Sequence, residues 1–533
     1  MAVMPRALAV EVTPEQARMA AHNWIGKSPT RMTVKFATSD AADVQTSKNA
    51  DGRALYHVVK LSGGGYVVTA GDTELPPVIA FSESGVLNLD DSGNPLLALL
   101  ERDMGRRIGL VDGGAPKLKQ SQGPSPFEAE WAELTGSAEK REDGKVSVLK
   151  KSLSSLSDVR VSPLVQSKWG QSLWNDYNTF NYYTPNYYVC GCVATAFAQI
   201  MRYWQQPTSS VSARSYYCMV DGSSSYRTMK GETYSWSDMP LTSSACTSST
   251  QRQAIGKLAY DLGVASQMKW ASDGSGTMGF AASQALKNAF GYASSQAYFD
   301  VTGFGLNQAL QSQTNFRDAI LASLDAGMPC AVGVGGDEGG HEMVLDGYGF
   351  SGSVIYSHIN CGWNGSEDAW YNFFGEYVTT YSFAYMDELG YNIHPTERGD
   401  VLSGRVLNSS GNPVSGAAVT LTKNGVTKTT TTNSKGIYAF RITSSGTYTV
   451  SATYSAQSGS TTATVSTMSK STTAVLDSNC NYSTSASNGT LGNSWGNDLT
   501  LGGTTPSGTP TATSVSIGTY GNGANTSYIK VGG

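Results

Sequence analysis

The spacing of apolar residues changes character several times along the chain. Thr13-Pro14-Glu15-Gln16 opens the first pattern with a capping threonine, a proline at the first helical position and a glutamine three residues after the cap, which predicts a helix running to about Trp24 or Ile25. The apolar stretches 54–61 and 65–70, joined by Ser62-Gly63-Gly64-Gly65, predict a hairpin; Val78-Ile79-Ala80-Phe81 adds a strand and 96–108 a second helix. Residues 1–112 therefore read as a small α+β region. Between 113 and 160 the chain turns polar and charged, through EAEWAELTGSAEKREDGK and KKSLSSLSD, and predicts an accessible linker.

Residues 161–396 mix two periods. After Cys192, the apolar Val193, Phe197, Ile200, Met201 and Trp204 fall at offsets 0, 4, 7, 8 and 11, one stripe of a helix. GKLAYDLGVAS and a helix predicted at 279–289 follow, then the apolar runs CAVGV, EMVLDGYGF and VIYSHIN, so this mixed domain is helical first and strand-rich later. Past Glu397 the pattern becomes short alternating strands, with Asn424-Gly425 as a hairpin signal and Tyr448, Val450, Ala452 and Tyr454 on one face, which predicts a β-sandwich over 397–476. Residues 477–533, rich in Gly, Ser and Thr, predict a tail or a partial β module, to which no function is assigned.

Composition narrows the class. The 533 residues are enough for three or four domains at about 150 residues each. Charged residues make up 15% against 40% hydrophobic, with abundant Gly, Ser, Thr, Asn and Tyr, a balance common in β-rich extracellular proteins. The formal charge of −5 and the lack of a long Lys/Arg run leave a phosphate backbone little to hold, so no nucleic acid partner is expected. No segment reaches the roughly 18 to 20 apolar residues of a membrane span, and the opening MAVMPRALAVEV lacks a full apolar core, so a signal peptide is either trimmed or absent.

The seven cysteines (190, 192, 218, 246, 330, 361, 480) form no CxxC pair, which argues against a zinc ribbon or a dense disulfide framework and leaves at least one thiol unpaired. His341-Glu342 lacks a second histidine four residues on, since position 345 is Leu, and Gly333, Gly335 and Gly336 are not followed by GK[ST]. Neither a metal nor a cofactor is expected.

Cys192 stands where a helix begins, and there unpaired backbone N–H groups and the helix dipole favour a thiolate, so its pKa is expected to fall. Cys190 is separated from it by Gly191 alone, too close for good disulfide geometry. A nucleophilic thiol needs a base. Of the five histidines, His22 and His57 lie in the amino-terminal region and His394 near the end of the central one. His358 sits inside an apolar alternation and reads as a packed strand residue. His341 follows Gly339 and Gly340, which admit another chain close to the imidazole, and precedes a strand. Cys192 and His341 are the expected pair.

These residues lie in motifs that resemble a known family. GCVATAFAQIMRYW with the following Gln-Gln-Pro, GGHEMVLDGYG and HINCGWNG, in this order, together with KWGQSLWNDYN and SDGSGTMGFAASQALKNAFGY, resemble the streptopain family (C10) of papain-fold cysteine peptidases found among secreted bacterial enzymes. YHVVKLSGGGYVVTAGDTELPPVIAFSESG resembles that family's inhibitory pro-domain, and NPVSGAAVTLT with NSKGIYAF resembles carboxypeptidase-regulatory-like or collagen-adhesin B-type modules. The fold this implies is α+β: a papain-like peptidase domain (161–396) preceded by an inhibitory pro-domain (1–112) and a linker with the maturation site (113–160), and followed by a β-sandwich accessory module.

By the same resemblance Cys192 is the nucleophile, His341 the base, Gln171 an oxyanion donor with the Cys192 N–H, and Asn360 the residue that orients the imidazole while Trp363 shields it. Ser275, Gly276, Gly339 and Gly340 line the substrate cleft with Trp363. The family's tryptophan after the asparagine is replaced here by Cys361, which bears on pocket width and shielding.

The implied product is a secreted or cell-surface bacterial endopeptidase made as a zymogen, acting on proteins or peptides, inhibited by its own pro-domain and cut between about Lys150 and Arg160. The rival readings are a surface adhesin or binding protein with a vestigial peptidase domain, and a transglutaminase-like acyl transferase, which normally has an acidic third member where this chain has Asn360.

Overall fold

The computed structural model describes residues 10–26, 41–91, 94–112, 126–136, 158–299, 313–334, 340–352, 354–373, 386–466, 473–476, 482–485 and 492–502. They fall into two compact units, one drawn from 1–159, 348–361 and 366–385, the other from 160–347, 362–365 and 386–533.

In the first unit the helices are α1 (Pro14–Gly26), α2 (Pro95–Asp112) and α3 (Pro126–Leu134). α1 begins as the capping box requires: the Gln16 N–H donates to Thr13 Oγ1 at 3.2 Å and the Thr13 N–H to Gln16 Oε1 at 2.9 Å. An antiparallel sheet runs in the order Ala41–Lys48, Ala54–Leu61, Tyr66–Ala70, Val78–Ser82, Ala369–Tyr371, Val354–Asn360. Its second to fourth strands and α2 are those the apolar pattern predicts.

Two elements of this unit differ from expectation. The strand AADVQTSK (41–48) has too few large apolar residues to show an alternation, and is held by its ladder with Ala54–Leu61. α3 lies within the stretch whose composition reads as linker. Phe127, Trp131 and Leu134 recur at helical spacing and are buried, with the Trp131 indole N–H donating to the Leu75 carbonyl at 2.9 Å; the polar residues between them hide the stripe.

The same sheet takes its last two strands from far along the chain. Phe81 pairs with Trp370 and Ala80 with Tyr371, and the Phe81 and Trp370 rings stack at 6.3 Å and 11°. Packing therefore does not follow the sequence boundaries at 112 and 161.

The second unit holds α4 (Cys192–Trp204), α5 (Ser249–Ala265), α6 (Gly279–Asn288) and α7 (Gln313–Asp325). The predicted stripe of α4 is buried from Val193 to Met201, in a core shared with Trp169, Phe180, Leu258, Leu262 and Trp270. One sheet orders the strands beginning at His341, Cys330, Met386 and Ser294; a second orders Gly274–Gly276, Lys269–Ala271, Ser215–Val220 and Ser223–Thr228.

The sandwich packs a three-stranded sheet (Ile437–Ile442, Asp400–Leu407, Leu499–Thr500) over a four-stranded one (Val426–Thr431, Ala418–Lys423, Gly446–Tyr454, Gln457–Val465). Its core includes Leu402, Val419, Phe440 and Val450. Asn424 and Gly425 take φ of 51° and 78°, as a tight hairpin with two left-handed positions demands. Tyr448, Val450 and Ala452 face the core as expected, but Tyr454, at the turn end of its strand, is exposed. Part of the 477–533 tail completes the module, where Leu499 pairs in parallel with Val406.

Candidate active site

Cys192 is the first residue of α4, preceded by Gly191 as N-cap with φ of 93°. Only glycine suits this position. Its φ is left-handed, and a Cβ there would come within 2.9 Å of both the Ser275 carbonyl oxygen and Met268 Cε. The strand Gly274–Gly276 is thus pressed against the residue before Cys192.

A second set of bonds fixes the loop carrying Gln171. The Cys190 N–H donates to the Gln171 carbonyl at 2.8 Å, and Thr195 Oγ1 donates to the Gly170 carbonyl at 2.9 Å and lies 3.2 Å from the Gly191 carbonyl. The Asn364 N–H donates to the Trp169 carbonyl at 3.0 Å. Gln171 is half-buried beside the helix mouth.

His341 opens its strand opposite Val334 and is half-buried. Its ring meets Trp363 edge-on, with centroids 6.1 Å apart and planes at 86°. The backbone N–H of the next residue, Glu342, acts to lower the pKa of the Cys192 thiol, which sets the start of this strand beside the sulfur.

The electrostatics differ from the sequence expectation. Burial pushes the Cys192 thiol up, and this outweighs the lowering by the N–H groups of Glu342, Val193 and Cys192 itself. The helix terminus supplies the donors foreseen, but desolvation by the surrounding protein is the larger effect. Cys190 is wholly buried, and its thiol is pushed up to about 12 by desolvation.

Among the cleft residues, Ser275 is half-buried, Gly276 and Gly340 are exposed, and Gly339 lies outside the described residues. Asn360 closes the strand Val354–Asn360 in the first unit and is buried. Cys361 is buried there too, its thiol donating to the Glu367 carbonyl at 3.2 Å and its N–H to Asp368 Oδ1 at 3.1 Å. The six described cysteines are all free thiols.

The other histidines have structural settings. His57 bonds Thr46 Oγ1 and the Val12 carbonyl, each at 2.9 Å, and burial lowers its pKa. His358 packs edge-on against Trp370, and His394 Nδ1 accepts the N–H of Thr396 and Glu397. His22 is exposed on α1. Sequence reasoning missed Thr195 and Met268, which fix the helix mouth. A hydroxyl in the first turn after GC was the only signal for Thr195, and Met268 gave none.

Three family models match in chain order: Spi protease inhibitor over residues 9–107, Peptidase C10 family over 174–371 and Carboxypeptidase regulatory-like domain over 401–479. The chain is 24% identical over 368 residues to the thiol protease/hemagglutinin PrtT of Porphyromonas gingivalis, an alignment covering 68% of this chain and 38% of that protein. It is 23% identical over 381 residues to streptopain of Streptococcus pyogenes, covering 67% and 83%. Among solved structures it is similar to a prointerpain A fragment of Prevotella intermedia, at 21% identity and a TM-score of 0.47, covering 67% of this chain and 99% of that one. The Peptidase C10 match takes in both Cys192 and His341, the Spi inhibitor match lies ahead of it, and residues 174–371 are thus similar to the Peptidase C10 family of cysteine peptidases.

Proposed function

We propose that this chain is a cysteine endopeptidase made as a zymogen and acting on protein or peptide substrates. The observation that carries the reading is that the backbone N–H of Glu342, the residue after His341, acts on the Cys192 thiol, which supports His341 as its base. The Cys192 sulfur attacks the scissile carbonyl carbon while its proton passes to His341. The tetrahedral oxyanion is received by the Cys192 N–H and the Gln171 side-chain amide, each such donor being worth about 3 to 4 kcal/mol in other hydrolases. Collapse expels the amine, protonated by His341, and water then hydrolyses the thioester.

Asn360 orients the imidazole and Trp363 shields it, in line with the family pattern. An extended substrate lies along Ser275, Gly276, Gly339 and Gly340, adding its backbone to the strand Gly274–Gly276, which ends the order of its sheet. The amino-terminal region acts as the intramolecular inhibitor. Burial raises the pKa of the Cys192 thiol, which suits an uncut, latent chain. Maturation falls between about Lys150 and Arg160, of which 150–157 lie outside the described residues. Both named relatives are bacterial, and no helix among the described residues is long and apolar enough to cross a membrane. The site of action is outside the cell or on its surface.

Casein hydrolysis under reducing conditions tests this with wild type, Cys192→Ala and His341→Ala. Both variants should lose activity. Hydrolysis that survives Cys192→Ala, or labelling of Cys192 without any turnover by wild type, would sink the reading.

A further inference from the structure

We propose that the carboxy-terminal sandwich carries a binding site for an anionic saccharide, in a cleft at the tip of the hairpin formed by Ala418–Lys423 and Val426–Thr431. The cleft has a volume of about 320 Å³, within the range of small-ligand pockets, and its lining includes Lys423, Lys428 and Arg441 but no carboxylate.

Leu421 pairs with Lys428 and Lys423 with Val426, so the four side chains share one face of the hairpin. That face buries Leu421 in the core, yet it ends in two ammonium groups. Both are held. Lys428 Nζ donates to the Arg441 carbonyl at 2.7 Å; Lys423 Nζ donates to Ser444 Oγ at 3.2 Å and to the Ser445 carbonyl, and sits 4.9 Å from the Tyr448 ring centroid. An ammonium has three donors, so the contacts that fix Lys428 leave donors for a ligand.

Arg441 adds charge from its own strand, where the Gly399 carbonyl accepts from Nη1 at 3.0 Å and Glu397 lies 3.6 Å from Nε. Asn424, Thr443 and Ser444 supply neutral polar groups, and Val426, 70% exposed, offers an apolar surface at the lip. Cations beside neutral polar and apolar groups fit a hydroxylated ring bearing a carboxylate or a sulfate ester.

The test uses the full chain as Cys192→Ala, which cannot cut itself, and calorimetric titration with trigalacturonate, a heparin-derived tetrasaccharide, cellotriose and hexaglutamate. Binding by either acidic saccharide, weakened by salt and absent for cellotriose, is expected; which of the two binds identifies carboxylate or sulfate. Lys423→Gln with Lys428→Gln should raise Kd by about tenfold or more, and Lys423→Arg with Lys428→Arg should largely restore it. The same lysine substitutions placed in the active chain should leave casein hydrolysis unchanged. Equal binding of cellotriose or hexaglutamate, no binding of either acidic saccharide, or a glutamine double variant that binds as well as its parent would overturn the proposal.

Discussion

The amino-terminal region and the carboxy-terminal sandwich are joined to the central part of the chain by different physics. The first is attached chiefly through a backbone ladder: the strand Val78–Ser82 pairs with Ala369–Tyr371 and the Asn372 N–H donates to the Ile79 carbonyl at 2.9 Å, with one side-chain bond added from Tyr356 Oη to the Val78 carbonyl at 2.7 Å. A buried charge cluster backs it, in which Arg107 bonds Asp103 and the Asn372 carbonyl, and Tyr371 Oη donates to Asp103 at 2.6 Å.

The sandwich is attached through side chains. Asn493 donates to the Ala319 carbonyl at 2.8 Å and accepts from the Val401 N–H at 2.8 Å and from Asn392 Nδ2 at 2.7 Å, while Ser403 Oγ donates to Asp325 at 2.7 Å. Trp495 lies under the Arg317 guanidinium at 5.1 Å. A backbone ladder tolerates many sequences, whereas an amide network requires these particular residues. The region held by the ladder is the one proposed to leave; the region held by the network is built to stay.

The largest expected effect separates the two directly. Aged wild-type protein should lose about the first 150 to 160 residues by mass spectrometry and keep the sandwich, while Cys192→Ala stays full length and hydrolyses peptides at least about 10⁴-fold more slowly. Loss of the sandwich before the amino-terminal region would break the contrast. Next, Arg107→Leu strands Asp103 among buried groups and should destabilise the uncut chain by about 3 to 5 kcal/mol, seen in urea melts as earlier unfolding of the amino-terminal region. Asn493→Ala should cost less, about 1 to 3 kcal/mol, lowering the melting temperature of the sandwich and leaving casein hydrolysis by the mature enzyme unchanged.

The smallest effect is electrostatic. Burial raises the Cys192 thiol and pushes those of Cys190 and Cys330 up to about 12, so in the folded chain they hold protons that unfolded thiols release near pH 8.5. Their contribution to stability is intact below that pH and lost as the pH rises above it. Residues 1–189 contain no cysteine, so the central part should weaken first in alkaline melts, and iodoacetamide should modify Cys192 of the uncut chain before Cys190.

The helices at Pro14 and Cys192, the hairpin at 54–70 and the Asn424-Gly425 turn were legible because each depends on neighbours a few residues away: caps, periodicity and left-handed positions. His341 was singled out as the partner proposed for Cys192 from among five histidines, on the glycines ahead of it. The strand 41–48 was not, because its stability comes from a ladder and not from its own side chains. Nor was α3, whose three apolar residues are diluted by charge.

Sequence alone therefore determined the order of the regions, the choice of Cys192 and His341 as candidates, and the family they resemble. Only the tertiary structure decided that desolvation outweighs the backbone N–H donors at Cys192, that Thr195 and Met268 fix the helix mouth, and that Trp370 and Asn493 each complete a sheet or a network begun far away. Those outcomes depend on which distant atoms displace water from a given group, and no local pattern encodes that.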